Sequence, residues 1–139
     1  MTANEVTEAQ SVFGGRIDYS KVRIADGKYV FTQGSGYVMA PDGNIYWPAG
    51  CSDLATCGGG SSAGTFIHEM THVMQHQHGV NVLGQGFLLQ AGKFLGFGLH
   101  NPYSLNYDPS RSFRSYNIEQ QGVIAEGIYS GLYRNNINY

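Results

Sequence analysis

His68-Glu69-Met70-Thr71-His72 places two imidazoles four residues apart, with a carboxylate beside the first. Apolar residues recur around it at helical spacing: Phe66, Met70, Val73 and Met74. The segment is therefore predicted to be a helix from Thr65 to His76 or His78. Ser61 and Ser62 offer N-caps, 58–60 a preceding loop, and Gly79 a stop. On a helix, residues i and i+4 stack on one face, so His68 and His72 can share one ion. Glu69 lies about 100° round and can reach a water beside that ion. The pattern H-E-x-x-H, so placed, is the mark of a zinc hydrolase. With 5 His and 5 Glu in 139 residues, three fixed positions give roughly 0.006 chance matches, so accident is a poor explanation.

A length of 139 residues predicts a single domain, 1–139, with a modest core. Charged residues make up 13% and the formal net charge is -2, so there is no basic footprint for nucleic acid. No apolar run approaches the ~20 residues of a membrane span. Residues 1–10 are polar and acidic and do not read as a secretory signal, which predicts a cytoplasmic chain or one exported by a signal-independent route. Cys51 and Cys57 enclose a loop rich in Gly and Ser. Their spacing allows a disulfide, which would favour an oxidising destination; two free thiols are the plainer alternative.

The order of elements predicts an α+β fold. Glu5 to Val12 reads as a short helix ended by Gly14-Gly15. Lys21–Ile24, Tyr29–Thr32, Tyr37–Met39 and Asn44–Trp47 read as strands, with turn chemistry at Asp26-Gly27 and Pro41-Asp42-Gly43. Together they predict a small antiparallel sheet. Residues 51–64 read as a loop, Phe87–Leu99 as a buried helix of weak propensity, and 100–116 as an irregular stretch rich in tyrosine. Ser115 or Asn117 could cap a last helix, Ile118–Tyr133, with Ile118, Val123, Ala125, Ile128 and Leu132 on its partly buried face.

A zinc site needs a third protein ligand, and a catalytic one keeps a position for water. His78 has the spacing of the metzincin pattern H-E-x-x-H-x-x-G-x-x-H, but Gln75 replaces the glycine and no methionine follows residue 74. His76 rises about 12 Å from His68 along a straight helix, too far to share one ion with it. Asp108 lacks the surroundings of an aspartate-type zinc site. Glu119 and Glu126 lie seven apart on one face of the last helix. That helix, laid against the motif helix, would complete a His₂Glu site through Glu119. Glu126 is the reserve, or a hydrogen-bond acceptor for a ligand imidazole.

These residues give the chain a resemblance. It resembles the small gluzincin-like metallopeptidase domains of bacterial Vgr-related and Rhs-type secretion-system proteins. The matching pieces are Val12-Phe13-Gly14 with Ile17-Asp18-Tyr19, Val22-Arg23-Ile24, Asn44-Ile45-Tyr46-Trp47, Phe66 to Gln75, and Tyr116-Asn117-Ile118-Glu119-Gln120-Gln121. The last piece is what points to this group. The resemblance implies a minimal zincin-like domain in which Glu119 completes the zinc site. Met74 stands where Trp is usual, and Glu126 where Asp is usual.

The chemistry expected is zinc-dependent hydrolysis of a peptide or related amide bond. His68, His72 and Glu119 would hold Zn²⁺, and Glu69 would act as general base. Tyr103, Tyr107, Tyr116 or His76 could donate to the oxyanion. Expected partners are a peptide, protein or cell-wall peptide substrate, and a secretion apparatus or an immunity protein. Two other readings remain: a non-catalytic, zinc-stabilised interaction module of a secretion system, and a toxin-like effector using the same chemistry.

Overall fold

The structure, a computed structural model, describes residues 1–29, 38–47, 53–54, 60–94 and 101–139. Helix α1 spans Ala3–Phe13. It starts with a reciprocal cap: Thr2 Oγ1 accepts from Glu5 N at 3.1 Å and Glu5 Oε2 from Thr2 N at 2.7 Å. Glu5 is itself buried, and its other carboxylate oxygen accepts from Leu54 N at 2.9 Å. Ala9, Val12 and Phe13 form the apolar face of α1.

Two short strands follow, β1 (Ile24–Asp26) and β2 (Ile45–Trp47). They run parallel, with Ile24 opposite Ile45 and Asp26 opposite Trp47. This corrects the expected antiparallel sheet. The turn at Pro41-Asp42-Gly43 does form, with Asp42 Oδ1 accepting from Asn44 N at 3.1 Å. It closes a single antiparallel bridge, Met39 to Tyr46. The chain from 27 to 44 is long enough for the crossover that a parallel pair requires. The first strand begins three residues later than predicted, because Tyr19–Lys21 is a 3-10 turn. Most of the predicted Tyr29–Thr32 strand, Tyr37, and both Cys51 and Cys57 lie outside the described residues.

Helix α2 spans Gly60–Gln77. It starts five residues before the predicted Thr65, within a stretch expected to be loop. Gly and Ser are weak helix formers, and tertiary packing overrides them here: Ala63 is buried, and Gly64 lies against Glu126. The helix ends as predicted at Gly79, whose φ of +83° suits glycine. Gly79 N donates to His76 O at 2.9 Å and Val80 N to Gln75 O at 2.9 Å, the paired bonds of a Schellman cap.

Helix α3 spans Val82–Phe94, again five residues early. Asn81 caps it, its Oδ1 accepting from Gly84 N at 2.9 Å. Within the expected buried helix Phe87–Leu99, Leu88 is exposed, and 95–99 lie outside the described residues; Leu83, in the earlier turn, is exposed too. Helix α4 spans Ile118–Tyr129, with Asn117 as cap. It stops four residues short of the prediction because Leu132 N and Tyr133 N both turn back onto Gly127 O. Leu132, predicted for the buried face, is exposed.

The core gathers around α2. From Phe66 to Gln75 every residue is buried, so this helix is covered on all sides. Ile124 and Ala125 of α4, Val12 and Phe13 of α1, Ile45 and Trp47 of β2, and Phe113 pack into the same cluster. The broad α+β expectation holds. Among the described residues no helix is long and apolar enough to cross a membrane.

Candidate metal centre

Helix α4 crosses α2 closely enough to face His68 and His72 with Glu119. His68 Nε2 lies 3.2 Å from Glu119 Oε2, and His72 Nε2 lies 3.5 Å from the same oxygen. A tetrahedral ion at ~2.0–2.2 Å from N and O donors separates those donors by roughly 3.3–3.5 Å. The two observed separations are edges of that size. All three donor atoms lie within 4.8 Å of one another, and all three residues are buried.

The close approach depends on a glycine. A Cβ added at Gly122 would stand 2.5 to 2.7 Å from Cε1, Nε2 and Nδ1 of His68. Any side chain there would push the ring out of place. Gly122 lies one turn after Glu119, so the same face of α4 carries the carboxylate and the gap that admits the imidazole.

Each imidazole is also held from behind. Glu126 Oε1 lies 2.6 Å from His68 Nδ1. A carboxylate accepts, so Nδ1 donates to Glu126, and Nε2 is the nitrogen left to face Glu119, with a proton or, once that is lost, with a lone pair open to a metal. Glu126, where Asp is usual in the resembling domains, reaches the ring with its extra methylene.

His72 is fixed through a longer relay. Gln75 Nε2 donates to Ile118 O at 3.1 Å and to Gln121 Oε1 at 3.0 Å. A backbone carbonyl can only accept, so the Gln75 amide has one orientation. Its Oε1, 2.8 Å from His72 Nδ1, must accept from that ring. Gln121 is oriented in the same way, its Nε2 donating to Tyr116 O at 2.8 Å. Its Oε1 also receives the Tyr139 hydroxyl at 2.9 Å. Two carbonyls thus decide which nitrogen of His72 is turned to Glu119.

The electrostatics agree with this arrangement. Burial disfavours a charged His68, but the hydrogen-bonded Glu119 and Glu126, with Glu69 nearby, outweigh it and lift the ring to about 10. Burial acts the same way on His72, and Glu119 and Glu69 again raise it. Burial would raise Glu119, but hydrogen bonds from both rings hold it down to about 2. Glu69 is raised by burial, against the pull of both histidines. Three carboxylates around two rings make a field that favours positive charge between them. Protons can answer that field, and so can a divalent cation.

The other residues named from sequence lie elsewhere. His76 lines a separate cleft with Arg16, Asp18 and Asp42. His78 Nδ1 donates to Met74 O at 2.9 Å, and its ring meets Tyr139 edge-on. Asp108 Oδ1 accepts from Ser110 N and Oγ. The Tyr116 hydroxyl is committed to Asp108, accepting from its N at 2.9 Å and donating to its O at 3.1 Å. Tyr107 stacks on Tyr133 with ring centroids 4.0 Å apart. Tyr103 is beside the centre, its ring centroid 6.2 Å from that of His68. Gln75 and Gly122 were not singled out as functional residues from sequence. Their signal was their position, three residues after His72 and three after Glu119.

No family model matches the chain. A curated relative, the type VI secretion system spike protein VgrG2b of Pseudomonas aeruginosa, is 46% identical over 131 residues. That alignment covers 93% of this chain and 13% of the spike protein, so the chain spans a small part of its relative's length. The solved effector domain of Pseudomonas aeruginosa VgrG2b is 44% identical, covering 94% of this chain and 73% of that one, with a TM-score of 0.84. Likeness of sequence and of backbone agree over nearly the whole chain, and it belongs to the family of the VgrG2b effector domain.

Proposed function

We propose that the chain is a zinc-dependent peptidase domain and that it acts as an effector of a type VI secretion system. The observation that carries the metal reading is the relay behind His72. It commits Nδ1 to Gln75 and turns Nε2 toward a carboxylate, beside a second imidazole set the same way by Glu126. Two ring nitrogens turned toward one anion call for positive charge between them, which a metal cation supplies once the ring protons leave. Imidazole and carboxylate donors in a near-tetrahedral array suit zinc. Among the described residues three protein donors converge, the number found in a catalytic site that keeps a place for water.

A zinc ion held there supplies Lewis acidity and lowers the pKa of a water to near neutral. Glu69 follows His68 on the same helix, and burial keeps its carboxylate above the usual range. That tuning suits a group which takes a proton from the attacking water at a carboxylate oxygen and passes it to the leaving amine. His68 and His72 are held in place by hydrogen bonds from α4 and α2 rather than from a loop. The substrate class is a peptide, a protein or a cell-wall peptide. The zincin-like architecture and the signal-independent export route belong to the same proposal. An immunity partner in the producing cell would then be needed.

Expression in a susceptible host compartment tests the effector reading. The wild-type chain should be toxic and Glu69→Gln harmless at equal abundance. Equal toxicity of the two would remove the catalytic explanation.

A further inference from the structure

An exposed aromatic ring stands against the metal centre. Tyr103 is 39% exposed, and its ring lies 6.2 Å from that of His68 at an angle of 44°. Helix α4 holds the backbone on both sides of it. Asn117 Nδ2 donates to Pro102 O at 3.2 Å, and Gln120 Nε2 donates to Ser104 O at 2.8 Å. Asn101 Oδ1 closes the turn by accepting from Tyr103 N at 3.1 Å.

Asn117 and Gln120 are also the two halves of the α4 capping box. Their side-chain oxygens accept from each other's backbone N–H, at 2.9 and 3.2 Å. The cap alone would be served as well by Ser or Asp at 117 and Glu at 120. Those side chains have no N–H₂ group. The amides do a second job, gripping the carbonyls that flank Tyr103. Glu119 lies between them in the chain, so one helical turn sets both the carboxylate and the ring.

Resting on the metallopeptidase reading above, we propose that Tyr103 is a substrate-contacting residue. Its ring forms one wall of the site and packs on an apolar or aromatic side chain of an extended peptide, next to the scissile bond. Asn117 and Gln120 are positioning residues that hold this wall in register with Glu119.

Calorimetry on the zinc-loaded protein tests this with two probes, acetohydroxamate and an N-blocked phenylalanine hydroxamate. Both bear the same metal-binding group, and only the second has a side chain for the wall. Tyr103→Ala is expected to weaken the phenylalanine probe roughly three- to tenfold while acetohydroxamate binds as before. Tyr103→Phe, which keeps the ring, should restore the preference for the phenylalanine probe. Asn117→Ser, which keeps the cap and removes the grip on Pro102, should reduce that preference in the same direction as Tyr103→Ala. If Tyr103→Ala leaves the preference intact, or weakens both probes alike, the wall is refuted while the metal reading stands. A Tyr103→Phe protein as poor as Tyr103→Ala would assign the contact to the hydroxyl and refute it too. If the wild type takes up neither probe, the metal reading fails and the wall with it.

Discussion

The middle of helix α2 and its C-terminal end carry the same kind of residue and do different things with it. His68 and His72 are buried under α4, and each has its Nδ1 held by a side chain. His76 and His78 are exposed, one lining a separate cleft and the other bonded to its own helix. All four are histidines of one segment, but along a straight helix neither His76 nor His78 can share an ion with His68. The difference comes from what crosses the helix: α4 brings Glu119, Glu126 and the open side of Gly122 to the first pair only. A histidine could serve as a ligand here where its back is held and its front faces a carboxylate.

Breaking the buried pair should have the largest effects. Glu119→Ala or His72→Ala should lose bound metal at stoichiometric concentration and all hydrolysis, as read by metal analysis after gel filtration. Gln75→Leu frees the His72 ring, removes the donor to Ile118 O and leaves Gln121 Oε1 with the Tyr139 hydroxyl alone. Metal affinity should fall about 10- to 100-fold, measured by competition with a chelator. Gly122→Ala must displace a pinned ring or spread two helices, at a cost of about 1–3 kcal/mol in denaturant unfolding. Its metal affinity should fall as well. A Gly122→Ala protein with wild-type metal affinity would show that the helices spread freely. At the exposed end, His76→Ala should leave metal content as in the wild type and move stability by no more than about 0.5 kcal/mol. A loss of metal there would erase the contrast between the two pairs.

How much of this was legible in the chain depended on whether the information was local. The H-E-x-x-H helix was readable because its spacing and its apolar neighbours lie within one segment. Few carboxylates follow the motif, which narrowed the third candidate to Glu119 with Glu126 in reserve, and the resemblance implied Glu119. The parallel pairing of β1 and β2 was not readable. It depends on a long crossover, whereas the turn at Pro41-Asp42-Gly43 announces a hairpin that amounts to one bridge. The first turn of α2 was hidden because Gly and Ser are weak helix formers, and the burial of Ala63 and the approach of Gly64 to Glu126 are not visible in local spacing. The start of α3 was missed because Asn81, its cap, follows so soon after the Gly79 stop. Gln75 stood out in sequence for what it was not, the glycine of another zinc pattern. Its role emerged only when two carbonyls of a distant segment fixed its amide.

The central claim is that His68, His72 and Glu119 together hold one ion. Metal content per chain, measured for the wild type, Glu69→Gln and Glu119→Ala purified identically, tests it most directly. One equivalent of zinc is expected in the first two proteins and none in the third. Zinc retained in full by Glu119→Ala, or absent from the wild type under zinc-replete conditions, would contradict it.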